Sequence, residues 1–224
     1  MVALNWKGAR PPERSALEGE LVRLEPVDAG RHAGDLFEAS RGADEIWTYL
    51  AYGPFESLQS FTEWVKARAA STDPLFYAVV DRQAHAARGM ASLMRMAPAD
   101  GVIEIGHIWF APSLQRTPQA TEAIFLLARH AFDDLGYRRL EWKCDSLNLP
   151  SRRAAERFGF TYEGIFRQHM VIKGRNRDTA WFSIIDSEWP SRRAAFGQWL
   201  APGNFDRDGR QRRSLTEIRA ALPA

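Results

Sequence analysis

Residues 102–123 contain the side chains that most directly indicate a chemical function. An apolar strand that carries Glu104 and His107 runs through a short loop into a long helix. The start of a helix presents unpaired backbone N–H groups and the positive end of the helix dipole, and both attract phosphate groups. A carboxylate or an imidazole on the preceding strand could accept a proton from a substrate bound nearby. This stretch therefore indicates a phosphate-bearing ligand beside a candidate general base.

The loop before this helix has a specific spacing, which runs Gln115-x-x-Pro118-x-Ala120 and continues as Thr121-Glu122-Ala123. Proline is common in the first turn of a helix, where its missing N–H would have no helical partner. The same missing N–H removes one donor that the loop could offer to a phosphate. An ordinary capped helix start is the alternative interpretation of this loop.

A second polar stretch follows the next strand, from Asn148 to Phe160. Asn148 could hydrogen-bond a ligand where two parallel strands part, or it could bond the backbone of its own turn. Ser151 could turn its hydroxyl toward a cofactor, or it could simply cap the helix that begins here. Gly159 followed by Phe160 is typical of a helix end and a core aromatic residue.

In this order, the two stretches resemble the GNAT superfamily of N-acetyltransferases, and within it the RimJ/RimL-type group. The family's pyrophosphate loop, Gln/Arg-x-x-Gly-x-Gly/Ala, is matched by residues 115–120, except that Pro118 stands where glycine is usual. The family signature Asn-x-x-Ser-x-x-x-x-Glu-x-x-Gly-Phe is matched by residues 148–160. The resemblance covers roughly residues 20–187.

The resemblance implies a co-substrate and a reaction. The co-substrate is acetyl-coenzyme A. A larger acyl donor is an alternative, because nothing in the sequence indicates the size of the acyl pocket. The acceptor is a primary amine: a protein N-terminus, a free amino acid or another small amine. The acetyl group would pass directly to the amine, with the help of a general base and without a metal. The residues assigned to the cofactor are the strand backbone at Ile108, Trp109 and Phe110, the loop residues Gln115, Arg116, Thr117, Pro118, Gln119, Ala120 and Thr121, and also Asn148 and Ser151.

Three residues are candidates for the chemistry itself. Glu104 resembles by position the general base of several GNAT enzymes, although a charged residue between Ile103 and Ile105 could also lie on an exposed strand face. His107 could act as the base instead, but it has the opposite strand parity unless a bulge intervenes, and a structural histidine is the alternative. Ser151 is the third candidate, because its hydroxyl could face the cofactor.

An aromatic loop at residues 46–55 could shape the acceptor pocket, as this region does in GNAT folds. Trp47, Tyr49 and Tyr52 are the residues that we predict to bind substrate, but they could equally pack on the domain's own helices. Cys144 lies in a predicted strand, and we expect it to be a small core residue rather than a nucleophile, because no paired base is evident.

Composition and charge argue against several classes of function. The 224-residue chain has 45% hydrophobic and 26% charged residues, which is typical of a globular protein. A net charge of +2 gives no general attraction to nucleic acid, and no apolar run is long enough to span a membrane. The single cysteine and the polar N-terminus indicate a reducing, cytoplasmic location. No cluster with zinc-ligand spacing is present, so we expect no metal.

The order of the predicted strands and helices indicates an α/β (α+β) domain. Three consecutive strands indicate an antiparallel meander, and the strand–helix–strand step over residues 102–144 indicates a parallel pairing. We therefore expect a GNAT fold: a mixed, mostly antiparallel sheet of about six to seven strands with helices on both faces. Residues 1–18 are expected to form an N-terminal arm, 19–200 the acyltransferase domain, and 201–224 a polar, solvated tail. Strands are expected at 21–24, 76–80, 89–96, 102–110, 139–144, 160–166 and 181–186, helices at 29–40, 57–70, 119–135, 150–158 and 190–200, and a basic loop at 173–177.

Two other functions stay open. The departure at Pro118 and the choice between two bases leave room for a catalytically weak CoA-binding module that regulates a partner. The tryptophans Trp181, Trp189 and Trp199 could take part in protein interaction, including a contact between two copies in a homodimer. Consumption of acetyl-CoA over a panel of amines separates an enzyme from either alternative.

Overall fold

The structure, a computed structural model, describes residues 4–223. Within this part of the chain the strands are β1 (Leu17–Glu18), β2 (Val22–Pro26), β3 (Leu75–Asp81), β4 (Ala86–Ala97), β5 (Val102–Phe110), β6 (Arg139–Asp145), β7 (Thr161–Ile172) and β8 (Arg175–Ile185). They form one sheet in the order β1-β2-β3-β4-β5-β6-β8-β7. The pairing of β5 with β6 is parallel, and the other pairings are antiparallel.

Local capping signals set where most helices begin. Asp28 caps the first helix by accepting a hydrogen bond from the backbone of Arg31, and Ser57 caps the second by accepting one from Ser60. Such caps satisfy N–H groups that have no partner inside the helix. The helices of the described part are α1 (Ala29–Ser40), α2 (Leu58–Ala69), α3 (Pro118–Arg129), α4 (Leu149–Phe158), α5 (Trp189–Leu200) and α6 (Leu215–Ala220), with a π-helical turn at His130–Asp134 and 3-10 turns at Asp44–Trp47 and Pro202–Asn204.

Helices cover both faces of the sheet, and each face has its own core. On one face, α1 and α2 pack over residues of β3, β4 and β5 around Trp47 and Phe61. On the other face, α3 to α6 pack over the central strands around Leu127, Trp142 and Phe182. The second core extends to β8, whereas the core beneath α1 and α2 includes no residue of β6 or β8 within the part of the chain described. On that side of β5, β6 and β8, buried polar side chains gather instead.

The predicted α/β architecture is confirmed, with differences in detail. Within residues 4–223 the sheet has eight strands rather than six or seven, because the two-residue β1 pairs with β2. The basic loop expected at 173–177 is wrong: β7 continues to Ile172 and β8 begins at Arg175, which leaves a two-residue turn. Arg175 and Arg177 are therefore strand residues, because hydrogen bonding to β7 extends the hairpin beyond the apolar part of its sequence.

The segment after residue 200 is not the solvated tail that its polarity predicted. Ser214 and Glu217 form a reciprocal capping box at the start of α6, and Leu215 and Ile218 on that helix are buried against the domain. A short helix can bury two apolar residues one turn apart even when the rest of its segment is charged. The expected division into an arm at 1–18, a domain at 19–200 and a tail at 201–224 stays a prediction, and its residues 1–3 and 224 lie outside the described part.

The feature that positions the candidate site is the parting of β5 and β6. Their parallel pairing runs only from Val102 opposite Arg139 to Ile105 opposite Trp142. Beyond it, the register of β5 with β4 shifts, so that two residues, His107 and Ile108, lie opposite a single residue of β4. His107 takes up a left-handed conformation with φ of 50°. A bulge of this kind bends a strand away from its neighbour.

Candidate functional site

A cleft opens between β5 and β6 where their pairing stops. The edge of β5 from Gly106 to Phe110 faces this cleft without a ladder partner on β6, within the residues described. Such a strand edge offers backbone N–H and C=O groups that can bond an extended ligand, as an added strand would. The side chain of Trp109 is buried against Trp47, so its contribution to the cleft is its backbone.

The start of α3 lies at the end of this cleft. Thr117 is the N-cap residue: its hydroxyl accepts a hydrogen bond from the backbone of Ala120 and donates one to the carbonyl of Leu114. Pro118 occupies the first turn, as expected. Within residues 4–223 the backbone N–H groups of Arg116, Thr117 and Gln119 make no hydrogen bond. The loop therefore retains backbone donors for an anion although proline replaces glycine.

Gln115, Arg116 and Thr121 differ in what they can offer. The side-chain amide of Gln115 donates to the carbonyl of Phe110 at 2.9 Å, which holds the loop against the end of β5. Arg116 is exposed and adopts a left-handed conformation with φ of 61°. Thr121 is buried, and its hydroxyl accepts from Arg157 at 3.1 Å. Gln115 thus fixes the conformation of the loop, Arg116 gives it a positive charge, and Thr121 faces α4.

Glu122, the next residue in the chain, has a structural role that its sequence context did not indicate. Its buried carboxylate accepts hydrogen bonds from the backbone N–H groups of Glu20, Leu21 and Val22, at 2.7 to 2.9 Å. It therefore ties the beginning of β2 to α3, and through α3 to the loop.

Asn148 and Ser151 lie on the opposite wall of the cleft. Asn148 is the N-cap of α4, and its side-chain oxygen accepts from the backbone of Ser151 at 3.1 Å. The cap of α4 is thus Asn148 rather than Ser151. Of the two roles considered for Asn148, the structure shows the hydrogen bond to the backbone of its own turn. The Ser151 hydroxyl accepts from the indole N–H of Trp142 at 3.0 Å. Nearby, burial raises the pKa of the Cys144 thiol, which keeps it protonated.

Glu104 lies in a buried group of charges on the α1–α2 side of β5, β6 and β8. Its Oε2 atom is 2.9 Å from Nζ of Lys143 and 3.4 Å from a guanidinium nitrogen of Arg95. Lys143 also lies 2.6 Å from Glu141 and 3.8 Å from the centre of the Trp181 ring. Burial raises the pKa of Glu104, and the Lys143 charge opposes that rise. The alternative of an exposed strand face for Glu104 is thereby wrong, because its exposure is 4%.

His107 faces the same side because of the bulge. Its Nδ1 atom is 3.2 Å from the hydroxyl of Tyr52, and the two rings stack. Burial first, and then the positive charges of Arg68, Arg95 and Arg177, lower the pKa of His107 to about 4. The imidazole is therefore neutral at pH 7.

The three aromatic residues predicted to bind substrate take different positions. Trp47 is buried within an aromatic cluster and packs against Trp109, so its ring supports the wall from behind. Tyr52 is half-buried beside His107, and burial raises its pKa. The Tyr49 hydroxyl donates to the carbonyl of Leu147 at 3.1 Å, and so connects this wall to the start of α4.

Several polar residues of this face escaped the sequence analysis. Lys143, Arg68, Arg95 and His169 were not singled out, and Arg177 was assigned to a basic loop. One signal was available for Lys143: the alternation Glu141-Trp142-Lys143 places two opposite charges on one face of a strand. Nothing local marked the others, because they approach Glu104 and His107 from different elements.

Residues 4–223 contain neither a candidate metal site nor a membrane-spanning helix. No group of three or more histidine, cysteine, aspartate or glutamate side chains in this part could hold a metal ion. None of the helices described is both long and apolar enough to cross a membrane.

Comparison with known proteins identifies the family. The model of the acetyltransferase (GNAT) domain matches residues 22–161. A solved GCN5-related N-acetyltransferase from Brucella melitensis is 52% identical, covers 96% of this chain and 99% of its own, and superimposes with a TM-score of 0.95. This chain therefore belongs to the GNAT acetyltransferase family, and the predicted GNAT fold is confirmed.

More distant relatives carry more specific names. The "Putative ribosomal N-acetyltransferase YdaF" of Bacillus subtilis is 31% identical over 101 residues, which are 45% of this chain and 55% of the relative. The match thus spans about half the length of that curated relative. The microcin C7 self-immunity acetyltransferase MccE, solved in complex with acetyl-CoA and AMP, has a TM-score of 0.66 at 19% identity, covers 75% of this chain and 93% of its own, and shares the fold alone.

Proposed function

We propose that this chain is an acetyl-CoA-dependent N-acetyltransferase of the RimJ/RimL-type group, which transfers an acetyl group directly to a primary amine. The observation that carries the proposal is the parting of β5 and β6 at the His107–Ile108 bulge, directly before the N–H donors at the start of α3. A phosphate-bearing thioester with an extended amide arm fits a strand edge that leads to a helix start.

The fit assigns roles to the chain's own residues. The backbone of Ile108, Trp109 and Phe110 would bond the extended arm of acetyl-CoA. The free N–H groups of Arg116, Thr117 and Gln119, in the loop that runs from Gln115 through Pro118 to Ala120, would hold its pyrophosphate, whereas Thr121 faces α4. Bound acetyl-CoA supplies the activated acetyl group, and the chain supplies its placement between β5 and α4.

The amine must lose a proton before or during the attack on the thioester. We propose that Glu104 accepts this proton, directly or through a water molecule. Its raised pKa makes it a stronger base than an exposed carboxylate. Oε2 of Glu104 lies beside the ammonium group of Lys143. Oε1 of Glu104 lies beside Gly106 instead: a Cβ atom added to that glycine would be 3.4 Å from Oε1. Neutral His107 is the other candidate base, but a pKa of about 4 makes it a weak one.

Asn148 and Ser151 would act on the α4 side of the cofactor. Asn148 fixes the first turn of α4, and the Ser151 hydroxyl, held by Trp142, lies in that turn. We assign both to placing the cofactor. Direct transfer needs no covalent intermediate, and the buried, protonated Cys144 is a poor nucleophile.

The binding half of the proposal is tested by thermal unfolding and by calorimetry with acetyl-CoA. A ligand that binds only the folded protein raises its melting temperature. At a hundredfold excess over Kd the stabilisation is about 2.7 kcal/mol. Absence of both a melting shift and a heat of binding at millimolar acetyl-CoA would exclude the cofactor.

Release of free coenzyme A over a panel of primary amines tests the catalytic half. Binding without turnover for any amine would favour the catalytically weak CoA-binding module instead. Asn148→Ala should lower turnover, whereas Cys144→Ala should leave it within about twofold, because a small core replacement removes no reacting group. A folded but inactive Cys144→Ala enzyme would require a covalent mechanism.

A further inference from the structure

Three arginines from different elements lie near His107. Arg68 comes from α2, Arg95 from β4 and Arg177 from β8, and the charge of each is close enough to act on His107. Arg95 and Arg177 act on His169 of β7 as well. We call the part of the β5–β6 cleft beside His107 the acceptor pocket.

Direct contacts connect these residues. The guanidinium carbon of Arg68 lies 5.8 Å from the centre of the Tyr52 ring, and the Tyr52 hydroxyl lies 3.2 Å from His107. On the far side, Arg177 Nε donates to the Thr179 hydroxyl at 3.2 Å. The same hydroxyl is 2.9 Å from Nδ1 of His169.

The carboxylates of this face are already engaged. Lys143 lies between Glu104 and Glu141, and Arg139 pairs with Glu141 at 2.8 Å. In contrast, Arg68 and Arg177 have no carboxylate within 4.0 Å among residues 4–223. Arg177 is half-buried, and burial is the largest cause that lowers its pKa. Asp145 and Glu104 act on Arg177 only from a distance, and neither forms an ion pair with it among residues 4–223, so its guanidinium can bind an anion.

The pocket is also bounded on its outer side. Nζ of Lys173, in the turn between β7 and β8, donates to the carbonyl of Trp47 at 2.9 Å. The hairpin therefore touches the α1–α2 connection, and this contact limits the size of an acceptor that approaches from that direction.

We propose that the acceptor is a small primary amine that also carries an oxyanion, a carboxylate or a phosphate, which Arg177 and Arg68 bind while the amino group faces the β5–β6 cleft. The planar guanidinium matches a carboxylate or a phosphate with two parallel hydrogen bonds. The inference rests on the proposed acetyltransferase function and names its substrate class. An N-terminus of a protein brings no such oxyanion beside its amine unless an acidic side chain supplies one.

The first experiment compares matched amines with and without the oxyanion. An α-amino acid is compared with its amide, and an aminoalkyl phosphate with the corresponding amino alcohol. We expect kcat/KM to favour the anionic member of at least one pair by about ten- to a hundredfold, the usual effect of a charge-assisted hydrogen bond. The amide has the less basic amine, so amine ionisation alone would favour the amide. A larger kcat/KM ratio for the amino acid pair identifies a carboxylate as the preferred anion, and a larger ratio for the aminoalkyl phosphate pair identifies a phosphate.

The second experiment uses variants and a direct binding measurement. Arg177→Gln and Arg68→Gln should each raise KM for the anionic amine about tenfold or more and reduce the preference ratio. Arg177→Lys keeps the positive charge, so it should retain part of the preference for the anionic amine. It also serves as a folding control. Arg175→Gln, an exposed position on the same strand, removes the same charge and should leave the ratio unchanged.

Calorimetric titration of the anionic and neutral amines into protein saturated with coenzyme A should show tighter binding of the anionic amine. Equal kcat/KM within both pairs, or equal effects of Arg177→Gln and Arg175→Gln, would overturn the inference. If other primary amines of the panel are acetylated but none of these four is, the inference fails and the proposed function stands. If no amine at all is acetylated, the proposed function fails, and the calorimetric preference still decides whether the anion site exists.

Discussion

The ammonium group of Lys143 lies 2.9 Å from Oε2 of Glu104, and both side chains are only 5% exposed. The two residues stand on neighbouring parallel strands, with Glu104 in register opposite Glu141, two positions before Lys143. Burial favours the neutral form of a carboxyl group, and the nearby cation favours the charged form. This pair therefore sets the basicity of the residue that we propose as the general base.

Replacement of Glu104 by glutamine should lower kcat at neutral pH by about a hundredfold, because the side chain keeps its size but loses its proton acceptor. Affinity for acetyl-CoA should change little. The defect should shrink at high pH, where the amine is already deprotonated. Turnover across pH 6 to 10, measured beside acetyl-CoA binding, checks both claims; wild-type turnover with an unchanged pH profile would eliminate Glu104 as the base.

Lys143→Met should destabilise the fold by about 3 kcal/mol, because it leaves two carboxylates buried beside each other without their shared cation. Adding Glu104→Gln should recover part of this loss, since one of the two charges is removed. Urea unfolding of the single and double variants measures the coupling. Lys66→Met, which breaks an exposed pair with Glu63, is the control and should cost less than about 1 kcal/mol. Additive effects of the first two substitutions would contradict the coupling.

His107 should make stability depend on pH between about 4 and 6.5. Its pKa is lowered from 6.5 to about 4 in the folded state, so the unfolded chain binds more protons in this window. Stability should therefore fall as the pH falls through 6.5 toward 4, by about 3 kcal/mol in total.

Urea unfolding at pH 4.5, 5.5 and 7 checks this dependence by comparing the wild type with His107→Gln. The variant should lose the His107 contribution to the pH dependence. His85→Gln, at an exposed turn position, should keep the wild-type slope. Equal slopes for the wild type and His107→Gln would show that His107 is not held neutral by the fold.

Glu122→Ala should destabilise the protein by about 3 kcal/mol, because three backbone N–H groups at the start of β2 lose their charged acceptor. Glu20→Ala removes an exposed carboxylate from the same turn and should change stability by less than about 0.5 kcal/mol. Chemical unfolding compares the two variants. Similar effects would mean that the hydrogen bonds of Glu122 contribute nothing specific.

Several features of the fold followed from residues close together in the chain. The predicted helix at 29–40 matches α1, because Asp28 caps it and its apolar residues recur at helical spacing. The start of α3 after the Gln115 loop and the end of α4 at Gly159 were likewise local signals, since a cap or a left-handed residue acts within one turn. The predicted helix at 119–135 was less accurate, because its last turn is π-helical from His130 to Asp134.

The resemblance to the family, the order of the elements from β2 to α5 and the loop that we propose for the cofactor were all readable in the sequence, because those signals lie within a few residues of one another. Only the tertiary structure decided that β8 lies between β6 and β7, which brings Arg177 and Trp181 to the face of Glu104 and Lys143. It also decided which way the bulge turns His107. Strand partners and bulges depend on how distant segments bury their apolar faces together, and no residue spacing along the chain encodes that choice.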